Sequence, residues 1–251
     1  MLVRLLETTL IPGKLEEFES VYLQNIIPVL RETPGCIFAG LLQNISTPNQ
    51  VVSLTMWKNS NQIDAYVKSG AFEKNTGLVR PYMKGSSEWK IQLSKEHKLN
   101  YEPINNEPTI RSYRAKLEPD SVADQMTFTR KYLRILSLSL ISGKKEEFNR
   151  IYYNDIQPEL AKVPGCHYAF IIDNSENENE VLSFTIWNNL EAVERYEKKG
   201  TFRGLLQKVQ HTLAELYQWK MSLENQASGT VSVSNRDIDI SKFTLVFATK
   251  F

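Results

Sequence analysis

The chain repeats itself. Slid along itself at the constant shift that carries Gly35 onto Gly165, it matches without a gap from the N-terminus to about Leu93. Ile11-Pro12-Gly13-Lys14-Leu15-Glu16-Glu17-Phe18 meets Ile141-Ser142-Gly143-Lys144-Lys145-Glu146-Glu147-Phe148, and Pro34-Gly35-Cys36 meets Pro164-Gly165-Cys166. Trp57, Tyr66, Gly70, Phe72 and Trp89 then fall on Trp187, Tyr196, Gly200, Phe202 and Trp219. Chance similarity needs insertions to hold register so long, so 251 residues read as two small domains rather than one large one. One copy spans 1–93 and the other 131–223. Agreement between copies marks what a shared fold requires; it does not by itself mark a site.

Each copy carries the same succession of elements. Leu2 to Leu10 and Tyr132 to Leu140 are apolar, β-prone runs that end at the Gly13 and Gly143 turns. Phe18, Val21, Tyr22, Ile26 and Leu30 recur at helical spacing behind Glu16 and Glu17, acidic residues at the positive end of a helix. Pro28 predicts a kink in that helix and Pro34 its end. Strands follow over Cys36–Asn44 and Gln50–Trp57, with partners Cys166–Asn174 and Glu180–Trp187. A second helical stretch, broken at Gly70 and Gly200, leads to a last strand through Trp89 and Trp219. The order β-α-β-β-α-β makes the fold α+β, with a ferredoxin-like unit in each copy.

The connection 94–130 is long for a linker and carries Pro103, Pro108 and Pro119. Within it 110–117 reads as a strand, and the same shift lays it on 240–247, inside a strand expected over 240–248 of the tail 224–251, with Tyr113 over Phe243. Each copy is therefore expected to end in an extra edge strand that crosses to the other copy's sheet.

Acidic and basic residues nearly balance, 29 against 30, which argues against a nucleic-acid or anionic-membrane surface and for a small-molecule or protein partner. No apolar run approaches the length of a membrane span, and Met1–Glu7 is charged and too short for a signal segment, so the expected location is the cytoplasm. Cys36 and Cys166 stand at equivalent places after a Pro-Gly turn, where a small buried hydrophobe is the reading preferred over a disulfide or a nucleophile.

The succession Pro-Gly-Lys-x-Glu-Glu-Phe, Pro-Gly-Cys, a strand ending in Trp, Tyr nine residues on and then Gly-x-Phe resembles the antibiotic biosynthesis monooxygenase domain. The resemblance implies ferredoxin-like units whose sheets pack into a dimeric α+β barrel, with a small-molecule cavity between sheet and helices. Two copies in one chain then form an intramolecular pseudo-dimer, and further self-association is left open. The activity it implies is that of a cofactor-independent monooxygenase acting on a small aromatic, polyketide or quinol-type compound. The alternative is a non-catalytic small-molecule-binding or stress-related module of the same fold. Haem-degrading relatives carry an Asn, a Trp and a His where this chain has Glu7, Tyr66 and Thr76, or Ser137, Tyr196 and Leu206, so haem breakdown is disfavoured.

In the oxygenases a phenolic substrate is deprotonated and the anion reacts with oxygen directly, so the protein must hold a ring, favour an anion and exclude water. Ser53, Thr55 and Trp57 share one strand face, as do Ser183, Thr185 and Trp187. Each Trp is either a cavity wall or ordinary core with an indole hydrogen bond. Tyr22, Tyr152, Tyr66 and Tyr196, with Phe72 and Phe202 nearby, are candidate substrate contacts or core aromatics. Arg4 and Arg134, set in apolar first strands, are either the cation that favours an anion or interface arginines. His167 is a candidate general base or a surface histidine, and neither copy shows a metal-ligand spacing.

Overall fold

The structure, a computed structural model, describes residues 1–84, 89–93, 99–103, 108–114, 131–175, 177–214 and 238–251. The first copy runs β1 (Leu2–Thr9), α1 (Leu15–Val21), a π-helical turn (Tyr22–Ile26), α2 (Ile27–Glu32), β2 (Cys36–Asn44), β3 (Gln50–Trp57), α3 (Ser60–Lys68) and α4 (Ala71–Val79). Then come β4 (Trp89–Leu93), β5 (Leu99–Pro103) and β6 (Thr109–Arg114). The second copy repeats the pattern with β7 (Tyr132–Ser139), α5 (Lys145–Ile151), a π turn (Tyr152–Ile156), α6 (Gln157–Lys162), β8 (Cys166–Asn174), β9 (Glu180–Trp187), α7 (Leu190–Lys198) and α8 (Thr201–Val209). It ends in β10 (Ile238–Lys250).

Eight antiparallel strands close into one barrel in the order β1-β3-β2-β10-β7-β9-β8-β6. Within it β6-β1-β3-β2 and β10-β7-β9-β8 are two ferredoxin-like sheets, and each fourth strand bonds to the other copy. Phe243 of β10 pairs with Asn44 of β2, and the equivalent Tyr113 of β6 pairs with Asn174 of β8. The strand expected through Trp89 is not that fourth strand. It forms β4, which among the described residues pairs with β5 in a separate two-stranded ladder, while the Trp219 segment lies outside the described residues. The edge of β1 is instead occupied by β6, which buries Tyr113 completely.

Alternation along the strands divides the molecule into three cores. Val3, Leu5, Leu54, Met56 and their counterparts Leu133, Ile135, Phe184 and Ile186 point into the barrel, which side chains of both halves fill. Opposite-facing residues such as Leu2, Leu10 and Trp57, or Leu138, Leu140 and Trp187, pack under the helices of their own copy. The expected kink at Pro28 takes the form of a widened turn: the amide of Ile27 reaches back to the carbonyl of Tyr22, and Gln157 does the same to Tyr152 ahead of Pro158. A proline lacks the amide for a regular turn and crowds the preceding carbonyls, and a wider turn relieves both. Gly35 and Gly165 sit at positive φ, where a Cβ on Gly165 would also overlap Ala192 of α7, so these turns require glycine.

Candidate functional site

In each copy the helices leave a cavity against the outer face of the sheet. The first measures about 60 Å³. Its floor is Arg4 and Leu6 of β1 with Ser53, Thr55 and Trp57 of β3, brought side by side because Arg4 pairs with Thr55 across the ladder. The Trp57 indole donates to Thr55 Oγ1 at 2.9 Å, and its ring lies 5.3 Å from that of Tyr66, which in turn meets Phe72 edge-on. Tyr22, the first residue of the π turn, shares a 2.8 Å hydrogen bond with Ser53 Oγ. From α4 come Asn75 and Thr76, two buried polar side chains on an otherwise apolar helix face. Asn75 Nδ2 donates to Tyr66 Oη at 2.8 Å, so the phenol accepts one bond and keeps its own proton to donate.

The guanidinium of Arg4 lies 4.2 Å from the centre of the Phe72 ring. Only 7% of the residue is exposed, and among the described residues no carboxylate pairs with it. Burial pulls its pKa below the usual arginine range, a drop that the nearby Tyr66 phenol partly opposes. Burial likewise raises the Tyr66 phenol, while the Asn75 hydrogen bond and the Arg4 charge pull it back.

The second cavity is about half the size, at about 30 Å³, and is chemically different. Leu205 and Leu206 stand where the first copy has Asn75 and Thr76. Arg134, 2% exposed, again lies over a phenylalanine, Phe202, at 4.3 Å. Its Nε, however, donates to Glu197 Oε1 at 2.9 Å, and Lys242 Nζ donates to the other oxygen of that carboxylate at 2.6 Å. Burial alone would raise the Glu197 carboxyl; the bonds from Lys242 and Arg134 outweigh it and hold the group below the ordinary range. Burial pushes the Tyr152 phenol well up, nearby Ser183 opposing, and among the described residues its buried hydroxyl has no hydrogen-bond partner. Burial pushes the Tyr196 phenol well up, the Arg134 charge opposing.

A sequence model of the antibiotic biosynthesis monooxygenase family matches residues 1–75 and, separately, residues 132–208. The chain belongs to the antibiotic biosynthesis monooxygenase family. Solved structures of similar fold include a provisionally assigned monooxygenase from Fusobacterium nucleatum, at TM-score 0.62 and 7% identity, covering 99% of this chain and 94% of that one. A second provisionally assigned monooxygenase, from Lactobacillus acidophilus, has TM-score 0.58 and 10% identity, covering 100% of this chain and 98% of the other. An anthrone oxidase-like protein has TM-score 0.59 and 9% identity over 99% of this chain and 92% of its own. At these identities the likeness is one of fold. No curated protein matches the chain in sequence.

The predicted residues divide between the two cavities. Arg4, Tyr22, Ser53, Trp57, Tyr66 and Phe72 all line the first cavity. Arg134, Tyr152, Ser183, Tyr196 and Phe202 line the second. Trp187 does not line the second; it packs within the helix–sheet core, donating to Thr185 at 2.7 Å and lying 5.1 Å from Tyr196. His167 lies away from both cavities, exposed at the register shift of β8 between Cys166 and Tyr168, so the general-base reading loses its geometry. Asn75, Thr76 and Glu197 are the residues the sequence reading missed. The signal was present, since polar Asn75 and Thr76 meet paired leucines at the repeat shift. Cys36 is buried and Cys166 half-buried, and both are free thiols. Among the described residues no cluster of three His, Cys, Asp or Glu side chains is placed to hold a metal, and no helix is long and apolar enough to cross a membrane.

Proposed function

We propose that the chain is a cofactor-independent monooxygenase acting on a small aromatic, polyketide or quinol-type compound held in the first cavity. The observation that carries this is the join of an aromatic wall, Trp57, Tyr66 and Phe72, to polar groups aimed at the same space: the Tyr66 phenol, freed by Asn75 to donate, and the Arg4 guanidinium. Such groups stabilise negative charge developing on a substrate oxygen, and in an apolar, water-poor site each hydrogen bond counts for more than in water. Family membership supplies the reaction class. With an anthrone-type substrate one oxygen atom of O₂ enters at the ring methylene as a carbonyl and the other leaves as water, the methylene supplying all four electrons and both hydrogens. With a quinol one atom enters the ring to give a hydroxyquinone and the other leaves as water, the quinol supplying all four electrons.

The residues lining the first cavity include no carboxylate and no imidazole. The substrate must therefore be acidic enough to ionise with solvent as the proton acceptor, and the site's part is to favour the anion. Anthrone-like and hydroquinone-like phenols meet that requirement, whereas simple alkanes and alcohols do not.

A second reading, a binding module without chemistry, draws on the lining of the first cavity, which includes no carboxylate or imidazole to serve as a base. On either reading α3 and α4 must move outward to admit a fused ring, since about 60 Å³ is far below the roughly 300 Å³ of an ordinary ligand site. Oxygen consumption with quinols and hydroxylated polycyclics separates the two. Turnover that falls at least about tenfold in Tyr66→Phe supports catalysis in this cavity. Binding of the same compounds with no oxygen uptake supports the module and refutes the monooxygenase.

A further inference from the structure

We propose that the two cavities are not equivalent: the first alone is a receptor for a small aromatic anion, and in the second the protein's own Glu197 has taken the anion's place. The inference rests on the first cavity being the ligand site, and adds which half binds, what charge it selects and which positions decide it. Each copy carries a buried arginine at the same point of its first strand, stacked on an equivalent phenylalanine. A buried guanidinium needs a counter-charge. Arg134 has one built in, because position 197 on α7 is glutamate and reaches its Nε at 2.9 Å. The equivalent position on α3 is Val67, 42% exposed, which leaves Arg4 unpaired among the described residues.

Two further differences point the same way. Lys242 lies directly across the ladder from Arg134 and bonds to the same Glu197, whereas its counterpart across from Arg4 is Ser112. Lys242 is a quarter exposed, so the charge left over in the second copy sits at the solvent edge rather than in the cavity. Leu205 and Leu206 also fill and depolarise the second cavity where Asn75 and Thr76 keep the first larger and polar. Charge and volume thus both favour an anion in the first copy over the second, where Glu197 already offsets Arg134 although Arg134 Nη2 and Tyr152 Oη keep no hydrogen-bond partner among the described residues. The aromatic wall of the first cavity selects a ring to carry that anion.

The test titrates the full-length protein with benzoate and with benzamide, a neutral molecule of the same shape, by calorimetry. One benzoate per chain is expected, bound roughly ten- to hundredfold more tightly than benzamide, the range of a charge-assisted hydrogen bond. Val67→Glu supplies the missing carboxylate on the exposed face of α3 and should weaken benzoate at least about tenfold while leaving benzamide within about twofold. Val67→Gln, equal in length and uncharged, should keep the preference for benzoate, and Glu197→Gln should leave the stoichiometry at one. The proposal is overturned by two benzoates per chain, by equal affinity for the two probes, by neither probe binding at millimolar concentration, or by Val67→Glu and Val67→Gln acting alike. None of these readouts involves turnover. A protein that binds benzoate as described yet consumes no oxygen therefore refutes the catalytic reading alone, and one that oxidises quinols without charge preference refutes this inference alone.

Discussion

Replacing Phe243 with alanine tests whether the two copies share one core. Phe243 lies on β10, between Leu133 of its own copy and Asn44 of the other, and its ring is buried in the barrel among residues of both halves. Truncation removes roughly 80 Å² of buried apolar surface, about 2 kcal/mol at about 25 cal/mol per Å². If the barrel does not collapse, roughly 80 Å³ of cavity adds about 2 kcal/mol more, giving about 4 kcal/mol in all, inside the usual range for a buried phenylalanine. At about 2–4 °C per kcal/mol for a chain of this length, Tm should fall by roughly 8–16 °C. The assay is urea unfolding followed both by far-UV circular dichroism and by tryptophan fluorescence, since Trp57 and Trp187 report the helix–sheet cores of separate copies. A single transition shifted to lower urea with an unchanged slope is expected. A loss below about 1 kcal/mol, or two transitions of which only one moves, would refute the shared core.

Three more outcomes follow from the site. Thr55→Val and Thr185→Val each strand a buried indole donor now bonded at 2.9 and 2.7 Å, and each should cost about 1–3 kcal/mol in urea melts; a neutral result in either copy counts against that bond. Glu197→Ala leaves the buried Arg134 without its carboxylate and should destabilise by about 1–3 kcal/mol, discounted because Glu197 is partly exposed, while Val67→Ala stays within about 0.5 kcal/mol; equal effects would show that Arg134 does not need the pair. Burial pushes the Cys36 and Cys166 thiols up to about 12, and the Tyr22 and Tyr152 phenols also upward. Raised pKa values favour the folded state fully below the ordinary thiol value, and that contribution is lost as pH climbs from there toward about 12. The urea midpoint should therefore hold steady to about pH 8 and decline above about pH 9, and a midpoint that rose with alkali would refute the burial of these groups.

Element by element, local pattern was a good guide wherever one face of an element is buried. The bounds of β2, β3, β8 and β9 follow from alternation, because a one-residue slip would turn every core side chain outward. The same alternation puts Arg4, Ser53 and Trp57 on the helix-facing side, and the repeat carries the pattern to Arg134 and Ser183. Pro28 was a sound signal for a disturbed helix, and the disturbance takes the form of a π turn whose Tyr22 and Ile26 are buried in the helix–sheet core. Trp89 sits in a strand, as its neighbourhood suggests, yet that strand pairs with β5, because the edge of β1 is taken by β6.

Sequence alone thus determined the repeat, the order of elements and the faces on which polar residues lie, since these depend on periodicity within a few turns or strand residues. Only the tertiary structure decided which strand completes each sheet, that Trp187 and His167 stand apart from the second cavity, and that the two arginines differ. That difference depends on Glu197, 63 residues from Arg134 along the chain, and on Lys242, 45 residues beyond Glu197. A buried charge is neutralised by whatever the fold brings within a few ångströms, and no local pattern encodes that distance.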